Sequence, residues 1–139
     1  MITAKCKCGG IELRISAPTV AAVNCHCNLC RGMNGGAFST YVPVSSAELH
    51  FAKGREMLVT FPATPRVQKH WCGICGTPLF NTNTLYPEKC MVYLGALQDH
   101  QAIHAKANIY CSSKLPWVES IGDLKSYAES RQPGNLAQS

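Results

Sequence analysis

Residues 72–76, Cys72-Gly73-Ile74-Cys75-Gly76, have the form of a zinc knuckle. Two thiolates three positions apart converge on one ion when the backbone turns, and Gly76 permits a left-handed residue just after the second cysteine. Gly76-Thr77-Pro78 argues against a following helix, and so against a redox Cys-x-x-Cys at a strand-to-helix junction. The counterpart of this pair lies near the N-terminus, in Cys6-Lys7-Cys8-Gly9-Gly10. In a flat strand residues i and i+2 share a face but stand too far apart, so a turn must bring Cys6 and Cys8 together, and Gly9-Gly10 supplies the freedom. Together the two pairs offer four thiolates, a closed tetrahedral shell. A shared ion would tie the start of the chain to its middle.

Between them lies a third cluster, Cys25-His26-Cys27-Asn28-Leu29-Cys30. Three protein ligands and one free position are the form of a catalytic zinc site. Zinc at +2 with three thiolates carries a net charge of −1, which weakens its Lewis acidity and argues against a zinc-hydroxide hydrolase. A soft, thiolate-rich centre suits a further thiol, or an aldehyde oxygen briefly polarised. Cys90, Cys111 and His26 are the candidates for a fourth protein ligand that would close the site. Gly32, Gly35 and Gly36 follow, small enough to admit a ligand to the backbone. Arg31 is placed to meet a carboxylate.

The rest of the chain frames these clusters. It has 139 residues, enough for one domain that buries roughly 65–70% of its unfolded surface. Apolar residues make up 46%, which excludes disorder. The nine cysteines are an odd number, and the start of the sequence lacks the apolar core of an export signal, so reduced thiols in the cytoplasm are expected. No apolar run approaches the ~18–20 residues of a membrane span. The net charge of +5 suits an anionic small molecule, while Arg66 and Lys69 are scattered and no basic tail is present, which argues against a nucleic-acid partner.

Local patterning is mostly that of strands. Ile11, Leu13 and Ile15 alternate with Glu12 and Arg14, with Pro18 ending the run or lying just outside it. Further strands are expected at 38–44, with Pro43 at an edge or end, at 57–61 before Pro62, at 67–71, at 90–94 and at 106–111. Ser45 and Glu48 have capping-box spacing, and Asp123 is placed to cap a short helix carrying Leu124, Tyr127 and Ala128. Cys90 and Cys111 read as core residues, Trp71 and Trp117 as core or cavity-wall aromatics, and His70, His100 and His104 as surface or capping groups. The expectation is a mainly β domain over 1–130 with short helices, and a flexible tail over 131–139.

The whole pattern resembles the glutathione-dependent formaldehyde-activating enzyme family, also called the GFA/CENP-V family. The residues that carry the resemblance are Cys-x-Cys-Gly-Gly at 6–10, Cys-His-Cys-x-x-Cys-Arg at 25–31 with Gly-Gly-Ala-Phe at 35–38, and Cys-x-x-Cys-Gly-Thr-Pro-Leu at 72–79. Ala107-Asn108-Ile109-Tyr110 and Leu115-Pro116-Trp117-Val118 resemble the family's C-terminal part. The resemblance implies an Mss4-like, β-tent fold of twisted antiparallel sheets. It implies about two zinc ions per chain: a structural one on Cys6, Cys8, Cys72 and Cys75, and a catalytic one on Cys25, Cys27 and Cys30. It implies a carbon–sulfur lyase-type activity in which a small thiol such as glutathione adds to an aldehyde, formaldehyde, to give S-hydroxymethylglutathione. The alternative that the same fold allows is a non-catalytic, zinc-stabilised binding module.

Overall fold

The computed structural model describes residues 1–16 and 21–130. Pro18 and the expected tail lie outside the described residues.

The strand reading holds, and the architecture is mainly β. In chain order the strands are β1 (Ile2–Lys5), β2 (Glu12–Ile15), β3 (Ala21–Cys25), β4 (Ser39–Ser45), β5 (Leu49–Lys53), β6 (Leu58–Pro62), β7 (Val67–Cys72), β8 (Pro78–Asn83), β9 (Lys89–Tyr93) and β10 (His104–Ile109). Among the described residues one α-helix, α1, covers Asn28–Asn34, and short 3-10 helices lie in several connections. A three-stranded sheet has the order β1-β2-β5 and a seven-stranded sheet the order β10-β3-β4-β9-β8-β7-β6. All pairs are antiparallel except β10 with β3, where Ile109 lies opposite Cys25.

The core follows from period-two alternation. On β4, Val42 and Val44 face the small sheet, and on β9 so do Cys90 and Val92; they meet Ala4, Leu13 and Ile15 there. Full burial of one such valine or leucine is worth about 1.5–3 kcal/mol. The intervening residues, Tyr41 and Tyr93 with Val23 and Met91, form a second apolar cluster on the opposite face of the large sheet, around Cys25 and Cys30. A sheet whose outer face merely met water would be polar there. This face is where the third cysteine cluster sits.

Several local expectations are corrected. Pro43 lies inside β4 rather than at its end, opposite Met91 of β9. Ser45 does cap the turn that follows, its Oγ accepting from the Ala47 N–H at 3.3 Å. The helix expected after Asp123 is absent; a 3-10 segment, Pro116–Asp123, ends there, and Leu124 and Tyr127 are exposed. Trp117 is likewise exposed rather than core, whereas Trp71 is half-buried with the Lys69 ammonium 5.8 Å from its ring centre.

Cys90 is a core residue as expected, but Cys111 is exposed, one turn beyond the end of β10. His70 is buried, not superficial: its ring nitrogens lie 2.9 Å from the hydroxyls of Thr60 and Thr82, and its ring stacks on Phe80. Burial lowers its pKa. His100 behaves as a capping group, its Nδ1 2.8 Å from the Leu97 carbonyl oxygen, and His104 is exposed. No helix among the described residues is long and apolar enough to cross a membrane.

Candidate metal centres and active site

Two tight turns build the first cluster. After β1 the chain reverses at Cys6–Gly9, where the Gly9 N–H donates to the Cys6 carbonyl and Gly9 takes φ +76°. After β7, Gly76 does the same, donating to the Cys72 carbonyl at 2.8 Å with φ +76°. The two turns face each other, so the four sulfur atoms of Cys6, Cys8, Cys72 and Cys75 lie within 4.8 Å of one another. Cys6 and Cys8 are 3.5 Å apart and Cys8 and Cys72 3.8 Å apart. Zinc–sulfur bonds of about 2.3 Å in a tetrahedron require sulfur–sulfur edges of about 3.8 Å. The donor set and its spacing fit zinc.

The surrounding backbone favours thiolates at Cys6 and Cys75, whereas at Cys8 the Gly10 N–H is outweighed by the neighbouring thiols, which push it up to about 11. Hydrogen bonds from the Thr77 hydroxyl and then the Thr77 N–H bring the Cys75 thiol down to about 5. Burial works against ionisation of Cys6, but the Ile11 N–H, 3.1 Å from its sulfur, and the neighbouring thiols outweigh it and lower its pKa.

The second cluster comes from one strand end and one helix start. Cys25 closes β3, clamped between Ser39 of β4 and Ile109 of β10. Cys27 is the N-cap of α1, its sulfur accepting the Cys30 N–H at 3.2 Å. Cys30 sits in the first turn of the helix. A helix N-terminus presents unpaired N–H groups that favour a thiolate. Gly35, at φ +75°, terminates α1 and bonds back to the Arg31 carbonyl. The sequence alone does not suggest α1, because its seven residues carry two asparagines and a glycine.

The three sulfurs again lie within 4.8 Å of one another, Cys25–Cys27 at 3.5 Å and Cys25–Cys30 at 3.4 Å. The Cys30 thiol donates to Cys25, which, against the opposing effect of burial, brings Cys25 down to about 6; the same bond and burial push Cys30 up. Among the described residues no fourth histidine, cysteine or carboxylate joins them. Cys90 is on the far face of the sheet, Cys111 is exposed, and His26, between two of the clustered thiols, turns away from them. His26 is nevertheless buried: its Nε2 lies 3.1 Å from Asn108 Oδ1, its ring packs on Phe38, and its Nδ1 has no hydrogen-bond partner among the described residues.

Residues that the sequence did not single out support Cys30. The Tyr41 hydroxyl donates to its sulfur at 3.3 Å, and Asn81 Nδ2 donates to Tyr41 at 3.0 Å. Tyr93 Oη lies 3.0 Å from Asn81 Oδ1 and 2.9 Å from Asn34 Oδ1. Burial, and then the bond to Cys30, raise the Tyr41 pKa, so the phenol stays a neutral donor. Alternation along β4, β8 and β9 was the available signal, since it places Tyr41, Asn81 and Tyr93 on the face of Cys25. Arg31 is occupied elsewhere: its guanidinium donates to the His26 carbonyl at 2.6 Å and to Asn28 Oδ1. Gly32, Gly35 and Gly36 shape the helix and its exit and do not line the cavity at the cluster.

That cavity measures about 540 Å³ and is lined by all three cysteines, with Tyr41, Pro43 and Met91 among its walls. Three converging thiols at one end of a ligand-sized cavity, beside a closed set of four, define a two-cluster thiol protein with one site open to small molecules. Its sequence matches the model of the family described as glutathione-dependent formaldehyde-activating enzyme over residues 1–113, and the chain belongs to that family. In structure it is similar to a Rhodobacter sphaeroides protein, solved as a structural-genomics target, with a TM-score of 0.58 and 20% identity over 70% of this chain and 88% of that one. That likeness is one of fold. No curated protein is significantly similar to the chain in sequence.

Proposed function

We propose that the protein is a zinc-dependent enzyme of carbon–sulfur bond chemistry that adds a thiol to an aldehyde. Cys25, Cys27 and Cys30 hold the catalytic ion, and Cys6, Cys8, Cys72 and Cys75 hold a structural one. The observation that carries this reading is the contrast between the clusters: four sulfurs close one site, and three sulfurs at a cavity leave the other a free position. Family membership supports glutathione and formaldehyde as the reactants, with S-hydroxymethylglutathione as product.

Zinc bound at the open site would hold an incoming thiol and lower its pKa. The chain's own residues do the rest. Tyr41, held by Asn81, donates to Cys30 and so draws charge away from a thiolate-rich centre. The apolar side chains beside the thiols, Val23, Leu29 and Ile109 among them, favour the free carbonyl over the hydrate. The new carbon–sulfur bond forms as the carbonyl π pair moves to oxygen, and the thiol proton ends on that oxygen. No electron is gained or lost. The free thiols of both clusters are consistent with a reducing, cytoplasmic setting.

The experiment is the rate of S-hydroxymethylglutathione formation from glutathione and formaldehyde at matched thiol and pH. The wild-type protein should exceed the spontaneous rate, and Cys27→Ser should lose the excess. Equal rates for the two proteins would refute the assignment.

A further inference from the structure

The open site's cavity has a second end, away from the thiols. Along β9, Tyr93 lies opposite Tyr41, the residue bonded to Cys30, and Lys89 lies opposite Ser45. From Tyr93 to Lys89 the strand spans about 13 Å at about 3.3 Å per residue. The cavity is therefore a trough along the sheet, with the cysteines at one end and Lys89 at the other. Six uncharged polar side chains line it: Tyr41, Asn81, Thr82, Asn83, Tyr86 and Tyr110. Tyr41 and Asn81 are bonded to each other in support of Cys30, and the Thr82 hydroxyl is bonded to His70. Tyr110 follows Ile109, which pairs with Cys25, and so belongs to the thiol end.

Asn83 and Tyr86 stand with Lys89 at the far end. Two successive turns bring them there: the Tyr86 N–H donates to the Asn83 carbonyl and the Lys89 N–H to the Tyr86 carbonyl, each at 3.0 Å. Asn83 Oδ1 accepts the Leu85 N–H, while its Nδ2 and the Tyr86 hydroxyl have no partner among the described residues. Lys89 is the one cation of the lining, no carboxylate lines the cavity, and the lysine makes no ion pair among the described residues. Three unspent donors, one of them charged, thus converge with no acceptor carboxylate beside them, which is the complement of a lone carboxylate. Glutathione has one at its glycyl end. Its γ-glutamyl end pairs a carboxylate with an ammonium and needs an anionic partner as well as a cation. In an extended glutathione the glycyl carboxylate stands about 8 Å from the sulfur, one step of about 3.8 Å between Cα atoms plus the two end groups. The long lysine side chain covers the remainder.

Resting on the reading of the open site as the glutathione site, we propose that Lys89, Asn83 and Tyr86 form the subsite for the glycyl carboxylate of glutathione. The sulfur sits at the cysteine end, the cysteinyl-glycine peptide runs along Pro43 and Met91, and the carboxylate meets the lysine ammonium, the Asn83 amide and the Tyr86 hydroxyl. The γ-glutamyl end, its two charges balanced against each other, stays hydrated. Holding the thiol at both ends fixes how its sulfur is presented. The addition to an aldehyde is unchanged, one carbon–sulfur bond formed and the thiol proton transferred to oxygen.

Calorimetry on the zinc-loaded protein tests this without turnover, with three probes. They are glutathione, its glycinamide analogue, which lacks the glycyl carboxylate, and butanoyl-cysteinylglycine, which lacks both charges of the γ-glutamyl end. The glycinamide should bind about three- to ten-fold more weakly than glutathione, the scale of one exposed ion pair and its accompanying hydrogen bonds. Butanoyl-cysteinylglycine should stay within about two-fold of glutathione. Lys89→Ala should weaken glutathione by about two- to five-fold and leave the glycinamide unchanged. A glycinamide that binds as tightly as glutathione, or a loss confined to butanoyl-cysteinylglycine, would overturn the inference and leave the glutathione-site reading standing. An undiminished preference for glutathione over the glycinamide in Lys89→Ala would overturn the role of Lys89. Failure of all three thiols to bind would overturn the inference together with the reading beneath it.

Discussion

Tyr41 shows how a single hydroxyl is tied to the chemistry. It donates to Cys30 Sγ and accepts from Asn81 and Asn34, so Tyr41→Phe removes all three bonds and strands the buried Asn81 amide. Leaving a buried donor unpaired costs about 1–3 kcal/mol. The variant should fold with a lowered melting temperature and lose zinc from the open site to chelators about 10- to 100-fold more readily, as groups that support metal ligands do. Release followed with a metallochromic indicator measures this; an unchanged release rate would mean that the tyrosine serves packing alone. The cysteines themselves should divide into two kinds. Cys75→Ser breaks a cluster that joins β1 to the end of β7, so it should cost more than about 10 °C in thermal melting or abolish the fold. Cys27→Ser disrupts only a strand end and a seven-residue helix beside it, and should melt within a few degrees of wild type, about 5 °C or less. Equal losses would assign both clusters a structural role.

At the scale of elements, the fold depends on how closely the first thiol turn approaches its neighbours. Gly54, just after β5, has φ +80°, and a Cβ there would lie 2.1 Å from the Gly10 carbonyl oxygen. Gly54→Ala should therefore destabilise by about 1–3 kcal/mol, from backbone strain and from displacement of the Cys6–Gly10 turn. A urea melt measures it, and a loss below about 0.5 kcal/mol would show that the turn yields freely. Much of this architecture was legible. β2 follows from Ile11, Leu13 and Ile15, and the three cysteine clusters are explicit in spacing. What stayed hidden has physical causes. In β8 Leu79 and Phe80 are both buried, because a bulge opposite His70 and Trp71 breaks the alternation. β1 and β3 are alanine-bearing, with weak strand signals, and are set by their partners. β5 does carry a signal, Leu49 and Phe51 alternating with His50 and Ala52, though it is not among the expected strands. Cys111 looked like core only because β10 was expected to run two residues further than it does.

Across the whole molecule, the seven-stranded sheet performs two tasks with its two faces. One face closes the core against the small sheet, and the other forms a trough with thiols at its end. The candidate ligands were fully readable as cysteines, but the trough was not, because it draws on six separate strands whose register only the fold supplies. The central claim is that one cluster is closed and buttresses the fold while the other is open and serves chemistry. The most direct test is the zinc content of freshly purified, reduced protein before and after brief exposure to a weak chelator, with circular dichroism recorded on the same samples. The account predicts about two zinc ions per chain at first, about one after exposure, and an unchanged β spectrum. Zinc near zero in the fresh protein, or both ions departing together with the fold, would contradict it.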